Sequence, residues 1–195
     1  MKQSGHRAHF PGSVAVAAAL AIATPATAAI TDLEPGGFAN EVTVHVAAPP
    51  AKVYQLIGKP ALWWSADHTV SGSAANLSLD ERAGGCFCEQ LPNGGSVQHL
   101  VVVYANPGKI LRLRGGLGPF QGYGVDTVLT WTLTQSGAGT DVTATFLVGG
   151  YVKGGMADLA KVADGVLALN TGRLKQFAET GSPDVMPQSA EMPTH

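Results

Sequence analysis

Alternating apolar and polar residues first become regular near residue 41. Val42, Val44 and Val46 are separated by polar residues, which is the two-residue period of a strand with one buried face. From Pro50 to Gly58 the apolar residues follow helical spacing, and proline is well suited to the first turn of a helix. The pattern therefore predicts a strand from residue 41, followed by a short helix.

Strand-like segments then follow one another along the middle of the chain. They lie at residues 76–82, 86–91, 97–104, 110–114, 125–134 and 141–148. Turn signals rich in Gly, Pro and Asn separate most of them, and connections this short predict an antiparallel meander. Within residues 125–134, Trp131 shares a face with Leu129 and Leu133, and we expect this face to be the concave one.

The last apolar pattern has the period of a helix. Its apolar residues recur at steps of three and four: Met156, Leu159, Ala163, Val166, Leu167, Leu174 and Phe177. This spacing predicts one amphipathic helix of about six turns. Gly181 and Pro183 are expected to end it, and the polar residues 181–195 are expected to form a disordered tail.

The N-terminal residues have the pattern of an export signal. Lys2 and Arg7 precede an uncharged run at residues 14–23, and Ala26-Thr27-Ala28 supplies the small residues of a cleavage site. A bilayer-spanning helix needs about twenty apolar residues, so the run is too short to span. We therefore expect residues 1–28 to be a cleaved signal peptide and residues 29–40 to be a linker. The mature protein would be periplasmic or secreted, with no stable membrane span.

Composition narrows the possible functions. The chain has 195 residues, with 12 Lys and Arg against 14 Asp and Glu, which suits one domain, here residues 41–180. A formal net charge of −2 provides no field to gather phosphates, so we do not expect nucleic-acid binding. The sequence contains neither the motifs of serine hydrolases and zinc proteases nor a phosphate-binding loop. We expect no cofactor, and the composition does not set an oligomeric state.

The order of elements, together with short motifs, resembles the START-like or SRPBCC superfamily. The motifs are Val44-His45-Val46-Ala47-Ala48-Pro49, Trp63-Trp64, Gly84-Gly85, residues 139–143 and the final helix. Within the superfamily, the sequence looks most like the branch of the Hsp90 ATPase activator C-terminal domain and the polyketide cyclase/dehydratase-like proteins. The resemblance covers residues 41–180. It implies an α+β helix-grip fold, in which a curved antiparallel sheet of about six or seven strands wraps the long C-terminal helix.

Three functions are compatible with this resemblance. The first is binding of a small hydrophobic or amphipathic molecule in a cavity between the sheet and the C-terminal helix. The second is catalysis like that of a polyketide cyclase or dehydratase, and the third is binding of a protein partner, as in the Hsp90 activator branch. A partner-binding domain would be expected to fill the cavity with its own side chains.

Seven aromatic residues and two residues of the final helix are the candidates for lining the cavity. They are Trp63, Trp64, Phe87, Phe120, Trp131, Phe146, Tyr151, Ala163 and Asn170. Among the aromatic residues we favour Trp63, Trp131 and Tyr151, although aromatic side chains also fill ordinary cores. Asn170 lies in the apolar stripe of the final helix, where its amide needs a hydrogen-bond partner from a ligand, water or the backbone.

The hairpin around Asn93-Gly94 contains the remaining candidate chemistry. A two-residue turn there would place Cys88 opposite His99 and Cys86 opposite Val101. A three-residue turn would instead place His99 opposite Glu89. The sequence leaves both registers open.

Each register suggests a different use of these side chains. Cys86, Cys88 and His99 on one face would be suited to zinc or copper. His99 paired with Cys88 would resemble an activated thiol, and His99 with Glu89 an acid–base pair. The alternatives are two buried thiols or a Cys86–Cys88 disulfide, which an oxidising compartment would favour.

Overall fold

The computed structural model describes residues 28–184. Within this range the chain forms an α+β fold with an eight-stranded antiparallel sheet and one long C-terminal helix. The predicted signal peptide and most of the predicted tail lie outside the described residues.

The regular elements occur in the following order. They are β1 (Ala29–Glu34), β2 (Gly37–Val46), α1 (Pro50–Ile57), β3 (Leu77–Leu79), β4 (Cys86–Gln90), β5 (Ser96–Asn106), β6 (Ile110–Gly115), β7 (Gly124–Ser136), β8 (Gly139–Tyr151) and α2 (Ala157–Thr180). The predicted short helix and long final helix are confirmed. Gly181 ends α2 with a φ of 79°, the left-handed conformation that glycine adopts without a steric penalty.

The sheet order is β1-β2-β8-β7-β6-β5-β4-β3. After α1 the chain crosses to the far edge at β3 and returns strand by strand until β8 pairs with β2. Register shifts in the β1–β2, β4–β5 and β5–β6 pairs introduce bulges, which bend strands and increase their twist. The resulting curved sheet, with α2 on its concave face, confirms the helix-grip prediction.

Residues 29–40, predicted as a linker, instead form β1 and the first part of β2. Phe38 and Asn40 continue the inward face of β2 and are 3% and 1% exposed. The Asn40 Nδ2 donates hydrogen bonds to the Ala160 carbonyl and to Asp164 on α2, so the buried amide nitrogen is satisfied. An inward asparagine conceals the alternation that would have revealed the strand.

The β4–β5 hairpin has a three-residue loop, and the two-residue alternative is wrong. The Leu91 N–H donates to the Gly95 carbonyl at 2.8 Å, which closes a three-residue loop. Asn93 in this loop has a φ of 62°, a left-handed conformation that asparagine tolerates. The different turn shifts the strand register by one residue near the loop.

A bulge at His99 then reverses this shift. Phe87 pairs with Leu100 while Cys88 pairs with Gln98, so His99 is the extra residue on β5. The Cys88–His99 pair of the two-residue alternative is therefore wrong. The Glu89–His99 pair of the three-residue alternative is also wrong as a register, because Glu89 pairs with Val97. Beyond the bulge the two shifts cancel, and the predicted pair of Cys86 with Val101 is confirmed.

Helix α2 is the longest described helix, and it packs across β2 and the neighbouring strands. Its N-terminal half is held to β2 by Asn40, and Ala160, Leu174 and Ala178 on its inner face are buried. Neither of the α-helices within residues 28–184 is both long and apolar enough to cross a bilayer.

Candidate ligand-binding cavity

A cavity of about 420 Å³ lies between α2, strands β7 and β8, and two loops. Its lining residues are Trp64, Asp67, His68, Thr69, Val70, His99, Leu117, Gly118, Pro119, Phe120, Leu129, Trp131, Phe146, Leu159, Val162, Ala163, Val166, Leu167 and Asn170. Val70 and Val162 are 58% and 60% exposed, so they mark the side on which the cavity opens to solvent. This volume falls in the range of small-molecule sites in proteins.

Aromatic side chains form much of the cavity wall. Six of the nine candidate liners contact the cavity: Trp64, Phe120, Trp131, Phe146, Ala163 and Asn170. Phe120 and Phe146 pack with their ring centroids 5.5 Å apart and their planes at 63°. Edge-to-face packing of this kind fixes ring positions, so the wall is preformed.

The other three candidate liners, Trp63, Phe87 and Tyr151, do not line this cavity. Trp63 and Phe87 are 2% and 3% exposed and sit behind the cavity wall. Trp63 packs edge-on against Trp131 at 5.9 Å, and Phe87 packs against Trp64 at 5.5 Å. Tyr151, at the end of β8, is 72% exposed because its side chain projects toward solvent.

Asn170 lines the cavity, but its amide already has protein partners. Its Oδ1 accepts the Ser65 N–H at 2.8 Å, and its Nδ2 donates to the Val166 carbonyl at 3.0 Å. The expected need for a partner is thus met by the backbone. Asn170 ties the loop after Trp64 to α2 and thereby shapes one side of the cavity.

A buried acid–histidine pair lies at another part of the wall. The side chains of His99 and Glu89 are 2% and 0% exposed, and His99 Nε2 lies 2.9 Å from Glu89 Oε2. Glu89 also accepts the backbone N–H of Val70 at 3.0 Å and that of Ser71 at 2.5 Å. Burial would raise the pKa of Glu89, but the hydrogen bonds from Ser71, Val70 and His99 outweigh burial and lower it to about 2. The carboxylate is therefore ionised at neutral pH.

The second ring nitrogen of His99 faces the cavity loop. Its Nδ1 accepts the Gly118 N–H at 3.4 Å, and His99 and Gly118 both line the cavity. Since an ionised Glu89 only accepts and a backbone N–H only donates, these contacts place the imidazole proton on Nε2 and leave Nδ1 as the acceptor. Glu89 does not line the cavity, and it positions His99 from behind.

The two cysteines face away from this pair. Phe87 and Glu89 point inward, so Cys86 and Cys88 lie on the outer face of β4, where they form a disulfide with a Cα–Cα distance of 5.3 Å. Of the alternatives that the sequence left open, the structure has the disulfide, which excludes both a metal cluster of Cys86, Cys88 and His99 and an activated thiol at Cys88. Residues 28–184 contain no group of three His, Cys, Asp or Glu side chains arranged to bind a metal.

The loop between β6 and β7 also lines the cavity, although only Phe120 in it was predicted to do so. Leu117, Gly118 and Pro119 line the cavity beside the predicted Phe120. A signal was present, because two large apolar residues in a Gly- and Pro-rich connection must be buried against something. Leu159 and Val162 on the first turns of α2 also line the cavity.

A curved antiparallel sheet that wraps one long C-terminal helix and leaves a cavity between them defines a helix-grip protein. A family model described as "Polyketide cyclase / dehydrase and lipid transport" matches residues 38–179. The chain therefore belongs to this family. No curated protein matches the sequence.

Solved structures with the same fold share little sequence with this chain. EF2215, a conserved protein of unknown function from Enterococcus faecalis, is 16% identical, with 82% of this chain and 80% of that chain covered and a TM-score of 0.54. CalU16 from Micromonospora echinospora is 18% identical, with coverage of 86% and 89% and a TM-score of 0.50. The di-domain ARO/CYC protein BexL from the BE-7585A biosynthetic pathway is 18% identical, with coverage of 79% and 52% and a TM-score of 0.50. At these identities the similarity establishes the fold alone.

Proposed function

We propose that this protein is an exported binding protein that holds a small hydrophobic or amphipathic molecule between its sheet and α2. The cavity of about 420 Å³ is the observation that carries the proposal. Protein interiors are normally packed as densely as organic crystals, with few voids larger than a water molecule. A preformed space of this size, walled by aromatic and aliphatic side chains, is suited to an apolar guest.

The residues at the mouth of the cavity favour an amphipathic ligand. Asp67 and His68 line the opening and are exposed, and Val70 and Val162 lie beside them. A ligand could therefore bury its apolar body against Trp131 while a polar group stays in contact with water. Such a division between an apolar wall and a few polar groups is typical of small-molecule sites.

Export is supported by two features of the chain. Residues 1–28 have the pattern of a cleaved signal peptide, and the Cys86–Cys88 disulfide suits an oxidising compartment. N-terminal sequencing of the protein from the periplasm or medium should begin at Ala29. A protein that retains Met1 and stays in the cytoplasm would contradict export without affecting the cavity.

A fluorescent probe tests binding directly. N-phenyl-1-naphthylamine brightens in apolar sites, and its titration into the mature protein should give a saturable signal. Ala163→Phe places a ring in the cavity and should weaken binding at least tenfold. Ala157→Phe is the matched control, because Ala157 is exposed on the same helix and does not line the cavity. Equal binding by both variants, or no saturable binding by the unaltered protein, would contradict the proposal.

A second candidate function is proton-transfer catalysis on the bound molecule. The buried pair of His99 and Glu89 on the cavity wall favours it, since a carboxylate that orients a histidine is a common acid–base arrangement. In this proposal the protein is an enzyme like a polyketide cyclase or dehydratase. His99 transfers the proton, and Glu89 positions the His99 side chain. Cys88 has no part, because it is in the disulfide.

Bound molecules recovered from cells separate these two functions. Native mass spectrometry of the unaltered protein and of His99→Phe should reveal the same adduct if the protein only binds. Catalysis would instead leave an unconverted precursor on His99→Phe, with a different mass, such as that of one additional water.

The third candidate, a partner-binding domain, would have its interior filled by side chains, and the cavity weighs against it.

A further inference from the structure

The cavity wall contains a hydrogen-bond acceptor, His99 Nδ1, and a donor, the Gly118 N–H, that form only a long hydrogen bond with each other. His99 Nδ1 and Gly118 N are 3.4 Å apart, longer than the 2.7–3.2 Å that is typical of N–H···O hydrogen bonds. His99 is 2% exposed, so its Nδ1 is shielded from bulk water. A ligand atom that bonds both groups more closely would gain interactions that the empty site makes only weakly.

Glu89 determines which ring nitrogen of His99 carries the proton. The Nε2–H donates to an ionised carboxylate that also accepts from Val70 and Ser71, so the proton is held on Nε2. Phe87 packs beside the imidazole at a centroid distance of 5.5 Å and limits its rotation. Nδ1 is therefore fixed as an acceptor that faces the cavity loop.

Gly118 lies where the loop has space to adjust. Its φ is +56°, and a Cβ built there would meet no atom within 4 Å. The side of Gly118 that a Cβ would occupy is therefore open, which leaves room for the loop beside Nδ1.

From this geometry we infer that the cavity selects ligands with a hydroxyl group, which donates to His99 Nδ1 and accepts from the Gly118 N–H. A hydroxyl oxygen is both donor and acceptor, whereas a ketone or a carboxylate has no proton to donate and a methyl group makes neither bond. The inference rests on the proposed binding function and adds the chemical class of the ligand, a hydroxylated hydrophobic molecule such as a phenol or alcohol.

Two matched probes test this selectivity. 2-Naphthol and 2-methylnaphthalene have nearly the same shape and differ in a hydroxyl against a methyl group. Their dissociation constants are measured by equilibrium dialysis with the unaltered protein, His99→Phe and His45→Phe. His45 is the matched control, because it is half exposed and pairs with Asp141 on the outer face.

The informative quantity is the preference for 2-naphthol over 2-methylnaphthalene. It should fall about five- to tenfold in His99→Phe, the effect of losing a typical buried hydrogen bond, and should not change in His45→Phe. An unchanged preference in His99→Phe would overturn the inference while leaving the proposed function intact. If neither probe binds the unaltered protein, the proposed function itself fails.

Nitrogen NMR gives a second test that does not depend on the folding of a variant. In the unaltered protein, long-range ¹H–¹⁵N spectra should assign His99 as protonated at Nε2 and bare at Nδ1. Addition of 2-naphthol should shift Nδ1, and 2-methylnaphthalene should shift it much less. A bound 2-naphthol that leaves the Nδ1 resonance unmoved would overturn the inference.

Discussion

The acid sensitivity of the fold should depend strongly on one carboxylate. Glu89 is buried and accepts hydrogen bonds from Val70, Ser71 and His99. Its pKa is lowered from 4.5 to about 2, because these hydrogen bonds outweigh the effect of burial. A carboxyl group with a lower pKa in the folded than in the unfolded state stabilises the fold above the unfolded value.

The size of this contribution follows from the two pKa values. Each unit of difference is worth 1.36 kcal/mol, so Glu89 contributes about 3 kcal/mol at neutral pH. The contribution is fully present above pH 4.5 and is lost as the pH falls from 4.5 to 2. Against a total stability of about 5–15 kcal/mol, this loss is large.

Glu89→Gln removes the titration and also mismatches the hydrogen bonds. Every partner of the carboxylate is a donor, whereas an amide has one accepting oxygen and one donating nitrogen. The amide nitrogen must therefore face either the Ser71 N–H or the pair formed by Val70 and His99. We expect the variant to be about 3 kcal/mol less stable at pH 7, with the difference shrinking toward zero near pH 2.

Urea unfolding at a series of pH values between 2 and 8 measures these differences. Glu41→Gln is the control, because Glu41 is exposed on β2 and the substitution is chemically the same. Its stability curve should stay within about 0.5 kcal/mol of the unaltered protein at every pH. If Glu89→Gln and the unaltered protein lose stability in parallel below pH 4.5, the argument for Glu89 is refuted.

Three further predictions concern the wall, the loop and the disulfide. Measured by urea unfolding, Trp131→Ala should lower the free energy of unfolding by about 3–5 kcal/mol, whereas Tyr151→Ala should change it by no more than about 0.5 kcal/mol. Similar losses in the two variants would contradict a buried Trp131 and an exposed Tyr151. Asn170→Ala leaves the loop N–H without its acceptor and should cost about 1–3 kcal/mol, so a neutral effect would show that this bond is not needed. Cys86 and Cys88 should resist iodoacetamide until the unfolded protein is reduced, and labelling before reduction would disprove the disulfide.

The sequence predicts the large elements because their patterns are strong. Trp131 alternates with threonines and lies inward as expected, and the apolar stripe from Met156 to Phe177 predicts α2 well. Residues 29–40 escaped prediction because β1 is mostly exposed and the start of β2 buries Asn40. The partners of Asn40 are on α2, more than a hundred residues away, so no local pattern could reveal them.

The candidate site was less predictable because it depends on a single inserted residue. The three-residue loop before Gly95 moves the strands by one position, and the bulge at His99 moves them back. Cross-strand counting from the turn therefore gave the correct partner for Cys86 and the wrong one for Cys88. Bulges reorient side chains, and here the bulge turns His99 inward toward Glu89.

The Glu89 carboxylate connects the mouth of the cavity with its interior. Glu89 accepts the N–H of Val70, which lines the opening, and the Nε2–H of His99, which lines the wall. A buried charge is tolerated only when it is well hydrogen-bonded, so the loop at residues 70–71 and the imidazole must keep their positions together. An apolar residue at this position could fill the core, but it could not hold Nδ1 as an acceptor toward the cavity. The polar pair thus accounts both for the acid sensitivity expected of the fold and for the orientation of the ring nitrogen that the proposed ligand would meet.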